Sequence, residues 1–308
     1  MPKGFFTQST TVLLERPIDV TALERCLEDF EIVRRTERSD NEWMGTPGLV
    51  LAMRPEVNGH VIVDLIDRPW PDGMGDPKTD LALFGAWSMG WFGPFVFPEN
   101  LTRARTMSFA WPEGRELCDR HRAFVRIKSS YVLGAGDDAA VIPADYDAIA
   151  ELDFVTQLSL GVLELPEAIA YFNPNGEVLL SRQRLLETLD WADDHDVVPL
   201  PVWANIRLFA LDDQWSMMDT IGMEQMDIDD HEAWFLTHRY DPGEVDTFLR
   251  NATDYVLQEG PVIEDGNTMD GPGGIRWSAR SVEDSRAPRT RQVLRWLPLD
   301  GSTPPSRF

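Results

Sequence analysis

The sequence predicts an α+β fold with mainly antiparallel sheets and helices packed on them. Three observations predict it. Apolar runs of strand length outnumber helical stripes along the 308 residues. Asn58-Gly59 and Asn175-Gly176 each sit between apolar runs, the strongest short hairpin signal. Hairpins of this kind outnumber strand–helix–strand crossovers, and that balance belongs to antiparallel rather than doubly wound sheets.

Taken in order, Thr10–Glu15 reads as a strand. Asp19 then caps a helix to about Phe30, because Leu23, Cys26, Leu27 and Phe30 fall at i, i+3, i+4 and i+7 on one face. Glu31–Thr36 and Gly48–Pro55 are strands, and Asn58-Gly59 turns the second into a partner strand. A turn-rich stretch, DRPWPDGMGDPKTD, precedes the aromatic segment Leu81–Pro98, which reads as a buried or partly buried loop. Leu101–Ala110 reads as a short helix and His121–Leu133 as a long strand. Tyr146–Leu165 is a helix stopped by Pro166. Ala168–Phe172 and Glu177–Ser181 form the second hairpin, and Arg182–Ala192 a helix. Val202–Leu211 and Glu232–Tyr240 are strands. The clearest helix runs to about Leu257, with Asp241 as N-cap, Pro242 in the first turn, Glu244 closing the capping box and Gly260 as the stop. Gly273–Arg280 and Arg291–Pro298 close the chain as strands. Strand pattern gives way to GAGDDAA near Gly134–Ala144, which divides the chain into an N-terminal α+β domain, 1–135, and a C-terminal one, 136–308. Both use a strand, a helix and hairpins, the element set that two related halves would share.

Charge narrows the function. Lys and Arg number 28 against 52 Asp and Glu, a formal net charge of −24. Such a field repels nucleic acid phosphates and anionic lipid, so neither is an expected partner, whereas a basic protein is. The segment Leu81–Pro98 is uncharged, but Gly85, Gly90, Gly93, Pro94 and Pro98 interrupt it and Asp80 and Glu99 border it. A membrane span is therefore not expected. The start, MPKGFFTQSTT, lacks the pattern of a secretory signal, which places the chain in the cytoplasm. Two cysteines, Cys26 and Cys118, exclude a disulfide framework.

Several phrases then stand out: DRPWPDGMGDPKTDLALFGAWSMGWFGPF, YFNPNGEVL, WANIRLF, WSMMDTIGMEQMDIDDHEAWF and IEDGNTMDGPGGIRW. Together they resemble a bacterial, uncharacterised domain-of-unknown-function family, the one numbered 4261. The likeness is strongest over the last hundred or so residues. The resemblance implies no activity, cofactor or catalytic residue.

The residues themselves offer six candidate sites. Asp227, Asp229, Asp230, His231 and Glu232, with His238, mix carboxylate and imidazole as a divalent ion requires. On a strand, however, His231 and His238 fall on opposite faces, leaving Glu232 and His238 as a two-ligand site at best. Asp193-Asp194-His195-Asp196 and the loop Asp265–Gly274 lack the ligand spacing of a calcium site. Arg122, Arg126 and Lys128 line one strand face, either paired with carboxylates or forming an anion-binding stripe. Phe84, Trp87, Trp91, Phe92, Phe95 and Phe97 fill a core or wall a pocket, with Gly90 and Gly93 allowing close backbone approach. Gly134-Ala135-Gly136 has the outline of a phosphate turn, but Asp137 and Asp138 stand where the phosphate would go.

From Asp212 to Asp265 there are fifteen Asp/Glu against two Arg, a net of −13. From Ile275 onward there are seven Arg against three acids, a net of +4. Two functions follow as expectations. The first is a non-enzymatic, cofactor-free acidic binding protein whose carboxylates meet a basic protein, as immunity proteins meet toxins. The second is a small-molecule or metal-dependent enzyme whose pocket joins Trp87 and Trp91 to Arg122, Asp229, His231 or Glu232.

Overall fold

A computed structural model describes residues 3–39, 41–109, 111–136, 138–283, 285 and 291–305. Its elements are two sheets, antiparallel but for one strand pair, with eight helices among the described residues, an α+β fold. The chain divides at Trp203/Ala204 into two units.

In the first unit β1 (Ser9–Leu14) is an inner strand. The sheet also holds β2 (Ile32–Thr36), β3 (Gly48–Arg54), β4 (Gly59–Ile66), β5 (Ala123–Ser130), β6 (Ala168–Asn173) and β7 (Val178–Leu180), in the order β2-β3-β4-β5-β1-β6-β7. All its pairings are antiparallel. The expected boundary at 135/136 therefore falls inside this unit, because β6 bonds directly to β1 and carries β7 with it. Asn58 stands in the left-handed region at φ 61 and turns β3 into β4 as its Asn-Gly signal predicts.

Two layers cover the sheet. On one face α1 (Val20–Cys26), capped by the Asp19 side chain, lies beside α5 (Ala148–Val162), capped by Asp147. Leu23 and Leu27 pack there with Leu152, Val155 and Leu158, all without exposure. Helix α1 ends at Cys26, a turn earlier than its stripe suggests, and the Cys26 thiol is half-buried rather than core. The opposite face lies under the segment between β4 and β5, which holds α2 (Leu81–Ser88), α3 (Asn100–Thr106) and α4 (Gly114–Leu117). The expected aromatic loop is thus a helix for half its length. Gly85 sits inside a turn with open space around it and did not stop α2; the breaks come at Gly90 and Gly93, which carry φ 70 and 126. Trp70 is the hub of this layer, its ring edge-on to Trp87, Phe92, Phe124 and Phe172. Helices α6 (Arg182–Asp194) and α7 (Leu200–Trp203) complete the unit.

The second unit holds β8 (Asn205–Ala210), β9 (Trp215–Ile221), β10 (Asp230–Leu236), β11 (Thr268–Gly271), β12 (Ile275–Val282) and β13 (Val293–Pro298), in the order β11-β12-β13-β10-β9-β8. Here β10 and β13 run parallel, so this sheet does not repeat the all-antiparallel topology of the first. Helix α8 (Pro242–Glu259) starts at the Asp241 cap and ends at Gly260, φ 81. Its Val245, Phe248, Leu249 and Ala252 close over Ile206, Met218, Phe235, Trp277 and Trp296. Strand β9 escaped the sequence reading because Asp219 breaks its apolar run. Strand β11 escaped because Gly and Asp made it look like loop.

The close approach of α1 and α5 rests on Gly161, where an added Cβ would lie 2.8 Å from the Cys26 carbonyl oxygen. Gly161→Leu should cost about 1–3 kcal/mol in urea melts through overpacking, beyond any gain in helix propensity.

Candidate functional site

Charged side chains enter both sheets. In the second unit the strand register aligns Arg207, Asp219, Glu232 and Arg295 in one row across β8, β9, β10 and β13. Arg207 grips Asp219 with Nε and Nη2 at 3.0 and 2.6 Å. Arg295 Nε donates to Glu232 at 2.6 Å, and its guanidinium lies 4.2 Å over the Trp234 ring. Arg291, just before β13, donates to Asp230 at 2.7 Å and to Asp219 at 2.9 Å. Ser285 and the Trp234 indole N–H also donate to Glu232. Among the described residues this network sets three arginines against three carboxylates, so it is neutral within itself. Buried pairing of this kind holds a fold together and leaves little to offer a ligand.

That network corrects the acidic-cluster reading. Asp230, His231 and Glu232 are all buried, Asp230 and Glu232 against arginines of the basic C-terminal stretch. Asp227 and Asp229 remain exposed, Asp229 with its carboxyl above the ordinary value through partial burial and the neighbouring Asp230. Next to Glu232 in β10, His231 faces the α8 side, where its Nδ1 accepts from the Trp296 indole at 3.3 Å. Burial drives its pKa down to about 4. His238 lies in an exposed turn beyond β10. The three candidate metal ligands are thus separated, and among the described residues no three His, Cys, Asp or Glu side chains are grouped as ion ligands. His195 is exposed, stacked on Trp191, and its ring bonds the Trp191 carbonyl at the end of α6. Asp265 accepts from the Ser281 amide of β12, a contact that ties its loop to the sheet edge. Asp137 lies outside the described residues.

The first unit holds the other charged island. Arg126 and Lys128 point from β5 into the face beneath the aromatic segment, on the same side as Phe124, and both are fully buried. The expectation that Arg122 lines the same strand face is corrected here. Arg122 precedes the strand, is exposed, and bonds the carbonyls of Asp119 and His121. The missing partner in the sequence reading was Asp64, directly across from Arg126 on β4. Its Oδ2 accepts from Arg126 Nε at 3.1 Å and Nη2 at 2.8 Å, and lies 2.8 Å from Lys128 Nζ. A signal for it existed: one acid inside the run Val61-Ile62-Val63-Asp64-Leu65-Ile66 is costly unless paired.

Aromatic rings complete the enclosure. Lys128 Nζ lies 4.2 Å from the Phe6 centroid and 4.1 Å from that of Trp91, and the Arg126 guanidinium 5.4 Å from that of Phe92. Burial, then repulsion from Arg126, lowers the Lys128 pKa to about 7 despite Asp64. Burial would raise Asp64, but the attraction of Lys128 and Arg126 outweighs it and holds the carboxyl below its usual value. Trp87 belongs to the core of this layer, stacked on Phe92 at 4.4 Å, while Trp91 is half-buried over the cations. A groove of about 330 Å³ opens beside them, lined by Trp87, Met89, Phe92, Gly93, Phe95 and Phe97 among others. His121 is held structurally: its Nδ1 bonds the Cys118 carbonyl, and Nε2 accepts from the Trp70 amide at 2.9 Å. Burial raises the Cys118 thiol to about 12.

Residues 219–297 match the family model of a domain of unknown function, DUF4261. The match lies in the C-terminal part of the chain and takes in Asp219, Asp230, Glu232, Arg291 and Arg295. No curated protein and no solved structure matches the chain.

Two outcomes test the second-unit network. Arg291→Met strands Asp230 and should cost about 3–5 kcal/mol in urea melts, whereas the exposed Arg280→Met should stay within about 0.5 kcal/mol. His231 binds a proton near pH 6.5 when unfolded but only near 4 when folded. The folded chain thus holds fewer protons between those values, and stability falls as pH drops through that window. The stability of wild type relative to His231→Asn should decline by on the order of 3 kcal/mol from pH 6.5 to 4.

Proposed function

We propose that this chain is a non-enzymatic binding protein of the bacterial cytosol, and that its second unit docks a basic protein in the manner of an immunity protein. One observation supports the reading above the others. Beyond Asp219, Asp230 and Glu232, which turn inward, most carboxylates between Asp212 and Asp265 remain exposed. Asp241 and Glu244 open α8, Glu259 closes it, and Glu264 and Asp265 follow. Tyr255, 46% exposed, stands on the same helix and supplies an aromatic contact of the kind interfaces favour. The docking surface is accordingly assigned to the outer face of α8 and its following loop, not to the Asp229–Glu232 run.

A net charge of −24 supports a cationic partner over nucleic acid or anionic lipid. No helix among the described residues is long and apolar enough to cross a membrane. The enzyme reading loses support because Trp87, His231 and Glu232, which would have served it, are committed to cores and ion pairs.

The reading predicts affinity for a basic protein such as cytochrome c that weakens steeply as salt shortens the screening length from about 10 Å. In biolayer interferometry, Glu244→Lys with Glu259→Lys should abolish binding, while Asp190→Lys with Asp193→Lys on α6 should leave most of it. Equal losses from the two pairs, or salt-independent binding, would overturn the assignment.

A further inference from the structure

Residues 3–8 run ahead of β1 as a strap across the end of β5. The Thr7 amide donates to the Ser129 carbonyl at 3.0 Å, the Ser129 amide to the Gln8 carbonyl at 3.2 Å, and the Gln8 amide to Ser129 Oγ at 3.0 Å. Thr7 and Gln8 thus both oppose Ser129, a bulge, and regular pairing of β1 with β5 starts only at Ser9. Phe6 lies on one face of the sheet, 4.2 Å over Lys128 and edge-on to Trp91 at 5.3 Å. The bulge turns Thr7 to the other face, where its hydroxyl donates to Glu151 Oε1 in the first turn of α5. Glu151 is only 3% exposed, and its Oε2 is buried with no hydrogen-bond partner. A neutral acid tolerates that enclosure far better than a carboxylate does.

Three ionisable groups face Glu151: Lys3 on the strap, Tyr146 before α5 and Tyr131 after β5. Lys3 Nζ lies 4.6 Å from the Tyr146 centroid, the Tyr131 ring stands edge-on to Tyr146, and the Arg54–Asp145 pair closes the cluster beyond them. Burial drives the Glu151 carboxyl above its ordinary value of 4.5. The hydroxyls of Ser129, Thr7 and Tyr146 and the charge of Lys3 pull the other way and do not cancel it. We propose that Glu151 is a proton-operated latch, holding residues 3–8 on the sheet while it is protonated and loosening them when it ionises. An ionised Glu151 needs water, and Thr7 is the strap residue that must lift to admit it. Gly4 of the strap also lines the aromatic groove, so release dismantles part of that wall.

The sign follows from the raised carboxyl. The closed strap holds a proton that the open one gives up above 4.5, so closure weakens as pH rises from there and levels off once Glu151 has ionised. Lys128, under Phe6, is charged in both states below pH 7 and adds nothing in that window; above 7 its lowered value acts in the opposite sense. Hydrogen exchange of the whole protein between pH 4.5 and 7, read by mass spectrometry and corrected for the intrinsic effect of pH on exchange, tests the proposal. In wild type, protection of the peptide spanning residues 3–8 should fall by up to about ten-fold per pH unit, the slope of one proton, before levelling off. Glu151→Gln keeps an oxygen for the Thr7 hydroxyl and has no proton to lose, so its protection should stay level. Should that variant fail to fold, Glu151→Met makes the same comparison. A level profile in wild type, the same decline in a folded variant, or a decline confined to the first turn of α5 while residues 3–8 stay closed would each overturn it.

Discussion

Charge withdrawn from water must be met by opposite charge, and that constraint organises both sheets. Strand centres are ordinarily apolar, because an ion there forfeits its hydration. Each unit nevertheless places acids and arginines in the middle of its sheet. In the second the row Arg207–Asp219–Glu232–Arg295 runs across four strands, and Arg291 ties it to Asp230. Register is thereby over-determined. A slip of one residue in β9 or β10 would swing a carboxylate from its arginine to the α8 side, where Trp277 and Trp296 leave no counter-charge.

Much of this was legible in the sequence, for identifiable reasons. Caps and turns read well because their signals are local: Asp19 and Asp241 each accept from amides of the turn they open, and Asn58 adopts the left-handed conformation its hairpin requires. Long-range pairing did not read. The composition shift near Gly134 suggested a boundary, yet β6 returns to β1 and the division comes at Trp203. The same limit explains the sites. Arg126 and Asp230 were singled out as polar residues, and burial was invisible because it depends on Asp64 and Arg291, which lie 62 and 61 residues away. The acidic run looked like a surface because the arginines that internalise part of it arrive only at the C-terminal strand.

The two islands therefore stand for different uses of one chemistry. Where acids and arginines cancel and every oxygen has a donor, the result is rigidity. Where a lysine is added to a pair already complete, as Lys128 is to Asp64–Arg126, burial lowers its pKa and the rings of Phe6 and Trp91 take up part of what the single carboxylate cannot. Outside both islands, the carboxylates along and after α8 obey a third rule: left in water they cost little, and they project a field toward whatever approaches.

Strand β13 sits between β12 and β10, in the middle of its sheet, although it is the last to be made. Until it emerges from the ribosome, the hairpin β11–β12 and the ladder β8–β9–β10 are separate fragments, each with a bare edge and neither with Arg295 to meet Glu232. The unit is assembled by insertion rather than by accretion, so its nascent form is held open, and exposed to rival pairing, for nearly the whole of its synthesis.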